Sequence, residues 1–200
     1  MCARFEFKST SFAGFHPELL KLMDDLLKEE YYPSEKIPFI NAYGGVVMGE
    51  WGFRPAWGKQ LLINARSETL LQKEVFRPLL DHPCAVPATA YFEWLTSGKQ
   101  KIKHRIFLPN AESFFLAGLH SPEGRFVLLT KSAEQSISAI HDRMPVILKR
   151  DSYSEWVTPD YGRRLALLES AKKGIHYTNA RSMALPAAVK PALGGQMSFF

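Results

Sequence analysis

Residues 85–130 read AVPATAYFEWLTSGKQKIKHRIFLPNAESFFLAGLHSPEGRFVLLT. Apolar, aromatic and β-branched runs recur here at short intervals, separated by Ser97-Gly98 and Glu123-Gly124. Such side chains suit a pleated, half-buried surface, and glycine supplies the backbone freedom of tight hairpin turns. The spacing predicts strands over 85–95, 100–108, 114–120 and 125–130. Strands this close in sequence pair as neighbours, and their number predicts a barrel-like, mostly antiparallel sheet.

Outward from this block the pattern changes. On the C-terminal side it predicts a short helix over 133–140, a strand over 145–148 and a helix opened by Ser152 and Glu155 as its cap. A further helix is expected over 163–173, with Gly174 as its stop. On the N-terminal side Pro17 stands at a first helical position, followed by Leu19, Leu20, Met23, Leu26 and Leu27 at helical spacing, so a helix is expected to end near Tyr31. Residues 37–53 turn strand-like, with breaks at Gly44-Gly45 and Gly52. A second helix is expected from Thr69 to just before Pro78, with Thr69 and Gln72 as its capping box. No internal repeat is visible. The fold class is therefore α+β: one domain over residues 1–183 with flanking helices, then an Ala-, Pro- and Gly-rich tail over 184–200.

The chain has 200 residues, 46% of them hydrophobic, enough for one sizeable core. A net charge of +5 and a pI near 9.2 fit a polyanionic partner, and fit plain solubility equally well. Two cysteines, Cys2 and Cys84, make no disulfide framework. No His/Cys spacing implies a metal, and no cofactor is implied. Charges interrupt the first residues, and no apolar run reaches membrane length. The expectation is a cytoplasmic monomer.

Cys2 directly follows the initiator methionine, and a small second residue permits removal of Met1. The mature end would then be a 1,2-aminothiol. An α-amine with a pKa of about 7.7–8.0 is substantially neutral near pH 7 and can attack an aldehyde to give an imine. The thiol of the same residue closes on the imine carbon with the high effective concentration of an intramolecular reaction, leaving a five-membered thiazolidine. Cys84, being internal, cannot do this and reads as a small buried hydrophobe.

Such capture needs a group to hold the opened sugar, an acid for the departing water and a proton carrier. Asn64 offers an amide just before an expected helix, though the same position suits a simple cap. Glu93, among the aromatics of Tyr91-Phe92-Glu93-Trp94, is a carboxyl whose pKa desolvation would raise; it could also pair with Arg66 or Arg143. His141 stands at a helix-to-strand junction with a pKa suited to neutral pH, and a His beside Asp also serves as a turn residue.

Six segments then occur in a telling order: Met1-Cys2-Ala3-Arg4-Phe5, Trp51-Gly52-Phe53-Arg54-Pro55-Ala56-Trp57, Asn64-Ala65-Arg66-Ser67-Glu68-Thr69, Pro87-Ala88-Thr89-Ala90-Tyr91-Phe92-Glu93-Trp94, Ala117-Gly118-Leu119 and the run from Ile140-His141-Asp142-Arg143 to Leu148. Together they resemble the SRAP (SOS response-associated peptidase) family over residues 2–180. The resemblance implies a mixed α+β domain around a barrel-like sheet, acting on abasic sites in single-stranded DNA. It implies that Cys2 forms the crosslink, Asn64 orients the sugar, Glu93 is the acid of imine formation and His141 shuttles protons. It places Arg4, Arg66, Trp94, Thr130 and Arg143 at DNA contacts, with Trp51 and Trp57 as further stacking candidates. Thiol autopeptidase activity, here removing only Met1, and a weak DNA lyase side route are implied too.

Three departures stand out. Ala3 and Ala90 replace glycines usual in the family, and residues 32–40 lack an expected Asn-x-x-Pro type of loop. A non-catalytic single-strand binder and a peptidase acting on other proteins are the alternative functions. At the C-terminus, Gln196, Met197, Phe199 and Phe200 resemble a short peptide that binds the replication sliding clamp; the two phenylalanines could instead enter the chain's own core.

Overall fold

The computed structural model describes residues 2–109, 111–151, 153–172 and 180–186. In chain order the strands are β1 (Phe5–Glu6), β2 (Glu30–Tyr31), β3 (Lys36–Asn41), β4 (Val46–Trp51), β5 (Asn64–Arg66), β6 (Pro83–Ala88) and β7 (Ala90–Ser97). They continue as β8 (Gln100–Phe107), β9 (Phe114–His120), β10 (Arg125–Ser132), β11 (Arg143–Pro145), β12 (Ile147–Lys149) and β13 (Arg181–Ala184). The α-helices are α1 (Pro17–Asp25), α2 (Gln135–Ser138), α3 (Tyr153–Trp156) and α4 (Tyr161–Lys172).

Five strands close on themselves. β10 pairs with β4, β4 with β3, β3 with β6, β6 with β9, and β9 returns to β10. Closure leaves no barrel edge unpaired and surrounds a core in which Ile37, Phe39, Trp51, Leu116 and Phe126 are fully buried. The barrel is tight at Gly118, where a Cβ would stand 2.8 Å from Cys84 Sγ and 2.8 Å from the Val127 carbonyl oxygen. Trp156 seals this point from α3, its Nε1 donating to the Cys84 carbonyl at 3.0 Å.

A second sheet, ordered β13-β8-β7-β1-β2, leans on the barrel. Side chains alternate between strand faces. Phe5, Tyr91 and Ile106 lie on the buried face, where Phe5 stacks on Tyr31 and tilts against Trp51. Arg4, Glu6, Trp94, Lys103 and Arg105 lie on the other face, where Arg105 Nη2 meets Glu6 at 2.6 Å. Glu93 sits directly across from His104, two residues beyond Tyr91 and on the same face.

Several elements depart from the sequence expectation. The single strand over 85–95 breaks at Thr89 and serves both sheets, because Thr89 turns its N–H to the Glu6 carbonyl at 2.7 Å and its hydroxyl to the Glu6 carboxylate at 2.7 Å. The strand over 145–148 divides at Val146, whose N–H donates to Leu129 and whose carbonyl accepts from Ala117, so the chain crosses from β10 to β9 there. The helix expected before Pro78 is two 3-10 turns, Ser67–Gln72 and Glu74–Leu79, separated by an extended Lys73; the Thr69–Gln72 box does not form. Its Leu70, Phe76 and Leu79 anchors are spaced for separate turns against the core. Helix α1 stops at Asp25, before a left-handed Leu27 and β2. Helix α2 covers only part of 133–140. Helix α4 begins at Tyr161, two residues early, because Asp160 Oδ1 accepts the Arg163 N–H at 3.0 Å.

The chain around the expected tail boundary is in the sheet. Arg181–Ala184 pairs with β8, and the Leu185 N–H donates to Lys103 at 2.8 Å. Ser152, Gly174 and the clamp-peptide candidates Gln196, Met197, Phe199 and Phe200 lie outside the described residues. Among the described residues no helix is long and apolar enough to cross a membrane.

Gly118→Ala is expected to destabilise the protein by about 1–3 kcal/mol, since neither β6 nor β10 can move away without opening the barrel. Urea denaturation of the two proteins checks this.

Candidate functional site

The short β1 lies between β2 and β7, with Phe5 opposite both Tyr31 and Tyr91. That seating carries Cys2 to the end of the barrel where β5 begins. Asn64, the first residue of β5 and paired in parallel with Leu128, donates from its side-chain Nδ2 to the Cys2 carbonyl at 2.8 Å. Two segments 62 positions apart in sequence are thereby joined at Cys2.

Cys2 is fully buried, its Sγ 3.7 Å from the Arg4 carbonyl. Burial, and then the neighbouring Glu93 carboxylate, push the thiol up to about 12. A thiol held there is protonated at neutral pH and needs a base before it can act as a nucleophile. The Glu93 carboxyl is itself only 3% exposed; burial raises its pKa, and the His141 imidazole opposes the rise. A carboxyl raised by burial holds its proton more readily than an exposed one.

His141 follows α2, and its Nδ1 has two rival neighbours. The Arg143 N–H donates to it at 2.9 Å, which requires a lone pair, whereas Asp142 Oδ1 at 2.8 Å requires a proton. One nitrogen cannot satisfy both at once. Accepting from Arg143 uses the Nδ1 lone pair, and donating to Asp142 uses an Nδ1 proton, so each contact matches a different form of the ring. Cys2, Glu93 and His141 thus form one electrostatic cluster, and Asn64 holds its carbonyl side.

The expected DNA contacts divide into two groups. Arg4 lies with its guanidinium 4.3 Å from the Tyr32 ring and 4.9 Å from the Trp94 ring, beside a groove of about 800 Å³ that Trp94, Lys101 and Lys103 also line. Arg66 is exposed at the end of β5, and Trp57 is 80% exposed. The other three expectations are corrected. Trp51 is fully buried, donates from Nε1 to Ile63 at 3.0 Å and lies parallel to Phe126, so neither of its faces is available for a base. Thr130 is equally buried. Arg143 is 8% exposed and forms a fork with both Glu68 oxygens at 2.8 Å, and with the Thr130 carbonyl at 2.9 Å. Its carboxylate partner is therefore Glu68, not Glu93.

Sequence reasoning missed Tyr91, His104 and Glu68. Tyr91 is buried against Cys2 and Glu93, and the i, i+2 spacing of a strand was the signal that could have found it. His104 could be found only from the hairpin register. Among the described residues no cluster of three metal-binding side chains occurs.

Residues 1–189 match the family described as SOS response associated peptidase (SRAP). The chain belongs to the SRAP family. It is 35% identical to the abasic site processing protein YoqW of Bacillus subtilis over 185 residues, covering 80% of this chain and 81% of that protein. It is 30% identical to the abasic site processing protein YedK of Escherichia coli over 181 residues, covering 78% and 79%. A solved protein from Bacteroides thetaiotaomicron has the same fold, with a TM-score of 0.71 and 21% identity over 92% of each chain. The α+β reading with a barrel-like sheet is thus that of SRAP proteins.

Within this SRAP chain the Glu68–Arg143 fork props the turn that carries His141. Arg143 holds Glu68 down to about 2, against an ordinary value of 4.5. A depressed folded pKa contributes stability above the ordinary value, and that stability is lost as pH falls through the folded one. Glu68→Gln is expected to cost about 1–3 kcal/mol at pH 7, with the deficit shrinking as pH falls from 5 toward 2. Urea midpoints across that range check it.

Proposed function

We propose that this protein captures abasic sites in single-stranded DNA as a covalent thiazolidine at Cys2, after removal of Met1, and so shields the lesion from strand cleavage. The observation that carries the reading is the convergence on Cys2 of Asn64 at 2.8 Å and the buried Glu93 carboxyl, with His141 acting on that carboxyl. The names of the relatives, which process abasic sites, point the same way.

The chemistry follows from those positions. The opened sugar presents an aldehyde, and Asn64 supplies the amide that orients its hydroxyls. The freed Cys2 amine adds to the aldehyde carbon, and the Glu93 carboxyl, whose proton burial favours, gives that proton to the departing hydroxyl to release water and leave the imine. The Cys2 thiol then gives its proton to a base, and its sulfur closes on the imine carbon. His141, which exchanges an acceptor contact with Arg143 for a charge contact with Asp142, carries protons in that closure and in its reversal. Arg4, Trp94 and Lys103 line the groove that takes the flanking strand, with Arg66 and Trp57 as outer contacts. Autoproteolytic loss of Met1 and slow strand scission from the imine are part of the proposal. The clamp-binding role of the C-terminal peptide remains an expectation from its sequence.

A non-catalytic strand binder is disfavoured because Ala3 and Ala90 cost the fold nothing. Neither adopts a positive φ, and Ala90 sits in the β1–β7 ladder opposite Glu6.

Intact mass after incubation with a single-stranded oligonucleotide bearing one abasic site tests the reading. The expected product is protein lacking Met1 plus DNA minus water, stable to heat and absent with Cys2→Ala. Glu93→Gln is expected to slow its formation by about 100-fold or more. A wild-type protein that has lost Met1, binds the strand and still forms no adduct sinks the proposal.

A further inference from the structure

Tyr91 is fully buried on β7, and its hydroxyl has no hydrogen-bond partner among the described residues. A buried hydroxyl left unsatisfied costs about 1–3 kcal/mol, which phenylalanine would avoid in the same volume. The position of the group shows what could repay that cost. Tyr91 and Glu93 alternate onto one face of β7, and the charges that reach the phenol belong to Cys2, Glu93 and Glu134. Glu134 gives Oε1 to the buried Lys131 ammonium at 2.9 Å and keeps a buried Oε2 without a hydrogen-bond partner among the described residues. Of the three, Cys2 and then Glu93 act on the phenol most strongly, and they stand where the proposed aldehyde would react. Burial raises the phenol well above its ordinary value, so it stays a neutral donor at any working pH.

We propose that the Tyr91 hydroxyl is a further catalytic residue, donating a hydrogen bond to the oxygen that develops on the aldehyde carbon as the Cys2 amine adds. This rests on the crosslinking reading. In that step one C–N bond forms and the carbonyl π pair moves onto oxygen. The proton lost by the amine ends on that oxygen, giving a carbinolamine. Tyr91 keeps its own proton and stabilises the charge while it is on the oxygen. A preorganised donor in a water-poor site is suited to this, because it needs no reorientation as the charge appears. The same contact is absent before substrate arrives, which explains why the hydroxyl is an orphan in the free protein.

Tyr91→Phe tests the inference through three readouts. Single-turnover crosslinking to an abasic oligonucleotide is expected to slow about 10-fold or more. The thermal midpoint is expected to stay level or rise, because an unsatisfied group has been removed. Affinity for a strand whose abasic site has been reduced with borohydride, which carries a C1′ hydroxyl but cannot crosslink, is expected to weaken several-fold. A crosslinking rate within twofold of wild type overturns the inference. So does a clear loss of stability, which would mean that the hydroxyl is already paired, with Glu134 the evident acceptor. If wild-type protein forms no adduct, the crosslinking reading fails on that arm alone. The reduced strand then decides Tyr91 by itself: equal affinity of the two proteins overturns its role, and weaker binding by Tyr91→Phe keeps it as a contact to the sugar.

Discussion

The Phe5 ring stacks on Tyr31 at 5.3 Å and tilts against Trp51 at 5.4 Å, and most of the site's geometry depends on that contact. A two-residue strand would fray on its own, since isolated pairs of short strands are marginal in water. Here β1 is held from both sides by β2 and β7, and from below by the aromatic side chains of the barrel. Burying Phe5 completely fixes the backbone a few residues upstream and therefore the place of Cys2. The same anchoring explains why Trp51 is a packing residue: its indole is the floor on which β1 rests.

With Cys2 fixed, the surrounding chemistry follows from burial. The interior raises both the thiol and the Glu93 carboxyl by disfavouring their charged forms. Charge is instead placed on the other face of the sheet, where Arg4, Lys103 and Glu30 meet: Lys103 contacts Glu30 at 2.7 Å and Arg4 contacts it at 3.4 Å. One thin sheet thus separates the enclosed Cys2 and Glu93 from a surface that carries the charged side chains.

Much of this was legible in the sequence, and the parts that were not have a common cause. Strands and their turns could be read because alternation and Gly-containing breaks are local signals. The bend at Thr89 could not, because Ala88, Thr89 and Ala90 continue the run without a break, and the bend is imposed by Glu6 from far along the chain. Cys2, Asn64, Glu93 and His141 could be named from residue chemistry and family resemblance, but periodicity does not say that Asn64 reaches the Cys2 carbonyl. Arg143 shows the opposite failure. A cation in a motif suggests a nucleic-acid contact, and only the fold shows its two terminal nitrogens bonded to Glu68 and Thr130. The early helix near Pro78 was misread for a smaller reason: its apolar spacing suits one long helix, but Lys73 is extended and two short turns bury the same side chains.

The β1–β7 pairing has a consequence for the newborn chain. Thr89, which ties Glu6 in place, lies 83 positions further along. A ribosome adds about 5–20 residues per second, so although β2 emerges early, several seconds pass before β1 has β7 to join. Through that interval the first residues lack the cover of β7. Once the sheet assembles, the second residue is enclosed. The order in which the polypeptide emerges therefore sets when Cys2 becomes enclosed.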